Sequence, residues 1–144
     1  MKKVFVSGGS GYIALHCIVK LLKKNFFVVT SLRKMDRSKE ILNSISKFVE
    51  YENKIKFVQL DLMKDQGWEA AINGCEYVLH IASPVSLQVS DDPDNLIRPA
   101  VEGLRRCLSS AVKNKVKRFV MTSSFSAIGA GSRKKEIDDE DWTD

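Results

Sequence analysis

The chain opens with a short apolar run, "VFVS" at Val4–Ser7, which breaks into "GGSG" and then into "YIALHCIVKLLKK", a stretch with helical periodicity. A strand that turns through glycines straight into a helix constrains the fold strongly. The helix carries the chain back along the sheet, so the next strand must run parallel to the first, by a right-handed crossover.

The rest of the sequence repeats that alternation. Strands are expected at Val4–Ser7, Phe27–Leu32, Ile55–Asp61, Tyr77–Ala82 and Arg118–Thr122, all rich in Val, Ile and Phe. Their nearly continuous apolar character suits strands covered on both faces. The first helix places Ile13, Ala14, Cys17, Ile18, Leu21 and Leu22 on one face and His16, Lys20, Lys23 and Lys24 on the other. A second helix is expected from about Ser38 to Val49, and a short third in "WEAAING", stopped by Gly74. The fourth, from about Asn95 to Asn114, is expected to bury Ala100, Val101, Leu104, Leu108 and Ala111. The pattern predicts an α/β fold, a doubly wound parallel (Rossmann) sheet of five strands ordered 3-2-1-4-5. Residues 1–144 read as one domain, with 1–123 as its core and 124–144 starting an active-site segment.

Composition narrows the function classes. Three widely spaced cysteines, Cys17, Cys75 and Cys107, form no metal-ligand pattern; Cys17 and Cys107 fall on apolar helix faces and read as buried free thiols. No apolar run reaches the roughly 18 residues of a membrane span, and no signal peptide is visible, so a cytoplasmic protein is expected. Five acids crowd the last seven residues, so the first 137 carry 23 bases against 13 acids, a formal +10. A basic body suits an anionic partner. Nucleic acid, a membrane surface or a phosphorylated small molecule would serve, and the scattered bases without interleaved aromatics argue against nucleic acid.

The glycine turn is where such a ligand is expected. In a doubly wound sheet, ligands bind beyond the C-terminal strand ends, beside the switch point that the first strand borders. Gly9, Gly11 and Ala14 fit G-x-G-x-x-G/A, and Gly8, Gly11 and Ala14 fit G-x-x-G-x-x-A. Either frame lets the backbone turn sharply, approach a pyrophosphate and present helix N-terminal amides to its charge. Sites for NAD place an acid at the end of the second strand to hold the ribose 2′-hydroxyl. Here "TSLRKMDR" places Arg33 first and no acid before Asp36. A guanidinium grips a 2′-phosphate where a carboxylate would repel it, so NADP(H) is favoured over a solvated basic loop.

These residues resemble the extended short-chain dehydrogenase/reductases, in the branch of dihydroflavonol 4-reductase, cinnamoyl-CoA reductase and the yeast-type NADPH-dependent aldehyde and methylglyoxal reductases. The resemblance is carried by "VSGGSGYIALHCIV" from Val6, "QLDLMKDQGWEAAINGCEYVLHIASPV" from Gln59, "DDPDNLIRPAVEGLRRCL" from Asp91, "VKRFVMTSSFSAI" from Val116 and "DDEDWTD" from Asp138. It implies that Gly8, Gly9, Ser10, Gly11, Tyr12 and Ile13 contact the pyrophosphate, and that Arg33 and Arg37 hold the 2′-phosphate. Asp61 and Leu62 would flank the adenine, and His80, Ile81, Ala82 and Ser83 would lie beneath the ribose and nicotinamide side. Three residues keep a plainer alternative: Asp61 as the cap of the following turn, His80 as a core histidine and Ser124 as a turn former at a strand end.

The resemblance implies hydride transfer between the nicotinamide and a carbonyl or alcohol substrate, with Ser124 of "TSS" bonding the substrate oxygen. The family's Tyr-x-x-x-Lys pair is absent. Tyr12, Tyr51 and Tyr77 are followed four residues later by His16, Ile55 and Ile81. The expectation is the cofactor-binding part of an NADP(H)-dependent carbonyl reductase, inactive by itself, with no metal and with oligomeric state open. The competing expectation is a non-catalytic NADP-binding module. Substrate choice is expected to lie in the "SPVSLQVSDDPDN" loop from Ser83 and in sequence outside the chain.

Overall fold

The computed structural model describes residues 1–84, 92–131, 134 and 136–143. Of the loop expected to shape substrate choice, residues 85–91 lie outside the described residues, as do Arg133, Lys135 and Asp144. The elements run β1 (Lys3–Val6), α1 (Tyr12–Lys23), β2 (Phe27–Leu32), a 3-10 turn (Met35–Arg37), α2 (Ser38–Ser46), β3 (Ile55–Gln59), α3 (Trp68–Ile72), β4 (Tyr77–His80), α4 (Asp94–Lys113), β5 (Arg118–Met121) and α5 (Phe125–Ile128). The five strands form one sheet ordered β3-β2-β1-β4-β5, and every pairing is parallel. This is the expected doubly wound order.

Alternation along β1 splits the core into two layers. Val4 and Val6 face one side with Val28, where Ile18 and Leu22 of α1 and Ile41 and Ile45 of α2 pack. Phe5 faces the other with Val29 and Val78, against Trp68 and Ile72 of α3 and Cys107 and Ala111 of α4. Successive side chains of a strand point to opposite faces, so a central strand needs apolar residues throughout. Helix α1 stops where Asn25 takes a left-handed φ of 60° and its N–H returns to the Leu22 carbonyl.

Three expectations need correction. Helix α4 buries Gly103, Cys107, Ser110 and Ala111, while Val101 and Leu108 are 42% and 43% exposed. The seated face is the one with small residues: a Cβ at Gly103 would lie 2.4 Å from Leu62 Cδ2. Close approach, rather than side-chain size, decides which face docks. Strand β5, at the edge of the sheet, is not covered on both faces as expected: Val120 and Met121, which point to opposite faces, are each half exposed. Finally, Cys107 is buried but Cys17 only partly so; Cys75 is the second buried thiol. Burial pushes the Cys75 thiol up to about 11 and Cys107 up to about 12, because a thiolate there would lose its hydration.

The sheet's ladders also end earlier than expected. Ser7, Leu60, Asp61, Ile81, Ala82 and Thr122 lie past the last paired residues of their strands. Most of these strand-end residues build the site.

Candidate functional site

The strand ends, the glycine turn and the start of α1 enclose one cleft of about 830 Å³. That volume falls in the range of small-molecule and cofactor sites. The cleft brings together Gly8, Ser10, Gly11, Tyr12, Ile13, Arg33, Asp61, Leu62, Ile81, Ala82 and Ser83 of the residues expected from sequence. Gly9, Arg37, His80 and Ser124 are not among its lining residues.

The turn is held from behind by β2 and β4. Gly8 has φ +74° and donates its N–H to Ser31 Oγ at 3.0 Å. The Gly9 N–H reaches the Ser31 carbonyl at 2.8 Å, and the Gly11 N–H reaches the Gly8 carbonyl at 2.8 Å. A Cβ at Gly8 would lie 3.1 Å from Ala82 Cα, so the turn passes β4 at near contact. A Cβ at Gly9 would lie 2.3 Å from Thr30 Oγ1, which is buried and donates to the Val6 carbonyl at 2.8 Å. Gly11 differs. Its φ is −80°, and a Cβ there would meet only the Gly8 carbonyl oxygen, at 3.2 Å.

Helix α1 begins at this turn with no side-chain cap and no acid in its first turn. Its first internal bond runs from Leu15 N–H to the Gly11 carbonyl. The N–H groups of Tyr12, Ile13 and Ala14 meet no acceptor among the described residues. A helix start with unmet donors and a partial positive charge fits an anion. The fit extends along the cleft. The Arg33 side chain is exposed on the rim and has no hydrogen bond or ion pair among the described residues. Its own carbonyl accepts from Gln59 Nε2 at 3.1 Å, which fixes the backbone it hangs from. These residues fit a dinucleotide carrying an additional phosphate.

Other expected residues sit less directly. Arg37 pairs with Glu40 through two contacts of 3.2 Å on the exposed start of α2. That pair raises the Arg37 pKa and lowers that of Glu40. Asp61 lines the cleft, and its Oδ1 also accepts from the Met63 N–H at 2.9 Å, capping the turn. The His80 ring is 3% exposed, with Nδ1 3.1 Å from Ser7 Oγ. It packs between Trp68 and Phe119 at ring distances of 6.4 and 6.2 Å. Desolvation lowers its pKa to about 4, so it is neutral at pH 7. Ser124 caps α5, its Oγ accepting from the Ser126 N–H at 3.1 Å, and it is exposed outside the cleft.

Several residues that shape the cleft were not singled out from the sequence. Ser31, Leu60, Trp68 and Pro99 line it, and Arg106 holds its far wall. Ser31 and Leu60 had a usable signal, since they sit at the C-terminal ends of β2 and β3, beside which ligands bind in such sheets. Arg106 had none. Its guanidinium is 18% exposed, pairs with Asp65, donates to the Leu62 carbonyl at 2.9 Å and lies 3.5 Å from Glu102. Among the described residues, no group of His, Cys, Asp and Glu could hold a metal ion. No helix there is long and apolar enough to cross a membrane.

Known proteins resemble this chain in sequence and in fold. The family model for the 3-beta hydroxysteroid dehydrogenase/isomerase family matches residues 5–144. Anthocyanidin reductase from Arabidopsis thaliana is 33% identical over 147 residues, covering 99% of this chain and 43% of that protein. Dihydroflavonol 4-reductase from the same plant is 31% identical, with 98% and 37% covered. The crystal structure of yeast methylglyoxal/isovaleraldehyde reductase Gre2 complexed with NADPH superposes with a TM-score of 0.82 at 30% identity, covering 97% of this chain and 43% of that one. The chain thus spans about two-fifths of the length of the relatives it matches.

Proposed function

The chain belongs to the 3-beta hydroxysteroid dehydrogenase/isomerase family, and from that premise we propose that it is the cofactor-binding region of an NADP(H)-dependent oxidoreductase acting on a carbonyl or alcohol substrate. The observation that carries this reading is the single cleft joining the uncapped start of α1 to Arg33.

Each residue has a task that follows from its place. The N–H groups of Tyr12 and Ile13 bind the pyrophosphate, and Gly11 leaves room for it. Arg33 binds the 2′-phosphate through charge-assisted bonds and sets the preference for NADP(H) over NAD(H). Leu62 packs on the adenine, and Asp61 accepts from its amino group with the lone pairs that Met63 leaves open. The strand end Ile81–Ser83 supports the ribose and nicotinamide side. The bound nicotinamide supplies or accepts the hydride. Ser124 Oγ accepts from Ser126, so its own proton remains free to donate to a substrate oxygen. Arg37 plays a smaller part than Arg33, because Glu40 already occupies its guanidinium.

The test is a titration with NADPH and with NADH, followed by quenching of Trp68, which lines the cleft. Preference for NADPH supports the reading; no binding of either dinucleotide overturns it. NADPH binding with no carbonyl-dependent oxidation at 340 nm is expected of these 144 residues, in which no tyrosine is followed four residues later by lysine. Rapid turnover by these residues alone would mean that a group assigned no such role here donates the proton, a contribution of about 10²–10⁴-fold.

A further inference from the structure

We infer that His80 is a positioning residue for the cofactor cleft, acting through the Ser7 hydroxyl to hold the end of β4 against the glycine turn. The inference rests on the cofactor reading above and concerns a contact beneath that site.

The hydrogen bonds fix the direction of every proton. The backbone N–H groups of Ile81 and Ala82 both donate to Ser7 Oγ, each at 2.9 Å. A serine hydroxyl has two lone pairs and one proton. Both lone pairs are taken by groups that can only donate, so the hydroxyl proton goes to the remaining neighbour, His80 Nδ1 at 3.1 Å. Nδ1 must therefore be an acceptor, and the ring of His80 is the neutral tautomer with its proton on Nε2.

The place of this latch in the sheet gives it its purpose. The Ser7 N–H bonds the Leu79 carbonyl at 3.0 Å, the last step of the β1–β4 ladder. In an unbroken parallel ladder the next donor, the Ile81 N–H, would meet the Ser7 carbonyl. The chain instead leaves the sheet at Gly8, whose φ is +74°. The Ser7 side chain replaces the missing backbone acceptor and takes the Ala82 N–H as well. Ile81 and Ala82 both line the cleft, and Ala82 is the residue that a Cβ at Gly8 would touch. A histidine 73 residues away in sequence thereby orients the one hydroxyl that sets the gap between the turn and β4. Trp68 and Phe119 flank the ring, so its Nδ1 is held toward Ser7.

The experiment has a spectroscopic arm and a binding arm, both on the 144-residue chain. The chain has two histidines, so His80 is assignable by long-range ¹H–¹⁵N correlation against a His16→Gln control. The expected signature at pH 7 is a neutral ring protonated at Nε2; a proton on Nδ1 overturns the inference without touching the cofactor reading. In the binding arm, Ser7→Ala and His80→Leu should each weaken NADPH binding about three- to tenfold, with the double variant no worse than the singles. His80→Asn keeps an acceptor near the position of Nδ1 and should restore most of the affinity, even though lost packing lowers its melting temperature. Equal loss of affinity in His80→Asn and His80→Leu would mean that the ring only fills space. A wild-type chain that binds no NADPH defeats the cofactor reading instead, and the tautomer measurement still judges the latch.

Discussion

Two glycines of one turn should fail in opposite ways when given a side chain. At Gly9 the obstacle is the protein itself: a Cβ would sit 2.3 Å from Thr30 Oγ1 and 3.0 Å from Thr30 Cγ2. Thr30 is fully buried in central strand β2, and its hydroxyl holds the Val6 carbonyl at 2.8 Å. Relieving the clash means moving Thr30 and losing that bond. Overpacking of this kind costs about 1–3 kcal/mol and the hydrogen bond about 0.5–1.5 kcal/mol. Gly9→Ala should therefore destabilise by about 2–4 kcal/mol, a drop of roughly 5–15 °C in melting temperature for a domain of this size. At Gly11 the protein offers only the Gly8 carbonyl oxygen at 3.2 Å, and φ is −80°, which any residue adopts. Gly11→Val should leave the melting temperature within a few degrees of wild type and abolish NADPH binding, because its side chain enters the cleft where the proposed reading puts the pyrophosphate. Thermal denaturation by circular dichroism, paired with fluorescence titration of both variants, reads the two effects separately. A folded Gly11→Val chain with undiminished affinity would show that the turn serves the fold alone, and a Gly9→Ala chain as stable as wild type would refute the contact argument.

Four further outcomes follow from the same geometry. Arg33→Ala removes a side chain with no hydrogen bond or ion pair among the described residues, so stability should hold while NADPH binding weakens roughly 10- to 150-fold, from about 1.5–3 kcal/mol for a charge-assisted contact; equal loss for NADH defeats this. His80 has a native pKa of about 4 against 6.5 unfolded, so the unfolded chain takes up a proton between those values that the native chain refuses. Its contribution is fully present above about pH 6.5 and declines as the pH falls toward 4, by up to about 3 kcal/mol; urea unfolding at pH 7 and 5 should show a shallower pH dependence in His80→Asn. Arg106→Ala should cost about 1–3 kcal/mol of stability and loosen NADPH binding, because the Leu62 carbonyl and Asp65 both lose their partner; an unchanged midpoint in urea contradicts it. Cys75 and Cys107 should resist iodoacetamide at pH 8 in the folded chain and react on unfolding, as mass spectrometry would reveal; rapid native modification of either contradicts their burial.

Local sequence was the better guide wherever a residue's role depends on its chain neighbours. The glycine turn, the parallel order and Arg33 at the end of β2 all follow from patterns spanning a few residues. Sequence failed where a role depends on a contact across the sheet. Ser7 and His80 touch over 73 residues, and Arg106 reaches Leu62 over 44. No periodicity encodes such pairs. Helix α4 is legible only in part, for a different reason. Ala111 and Cys107 dock as expected, but the large Val101 and Leu108 face outward while Gly103 sits in the docked face, where the lack of a side chain admits Leu62. Hydrophobic patterning weighs size, and close packing rewards its absence.

On the proposed reading, the division between satisfied and unsatisfied donors around the turn is what lets the cleft take an anion. The N–H groups of Gly8, Gly9 and Gly11 all end on protein acceptors, and Ser7 gathers those of Ile81 and Ala82. The walls are therefore fixed before any ligand arrives. The N–H groups of Tyr12, Ile13 and Ala14 end on none among the described residues, and they share one direction at the positive end of a 12-residue helix. An anion entering there meets donors already aimed and loses little to rearrangement of the protein, which is how preorganised sites gain affinity. On that reading stability and binding fall to residues two positions apart in one turn, with Gly9 on one side of the boundary and Gly11 on the other.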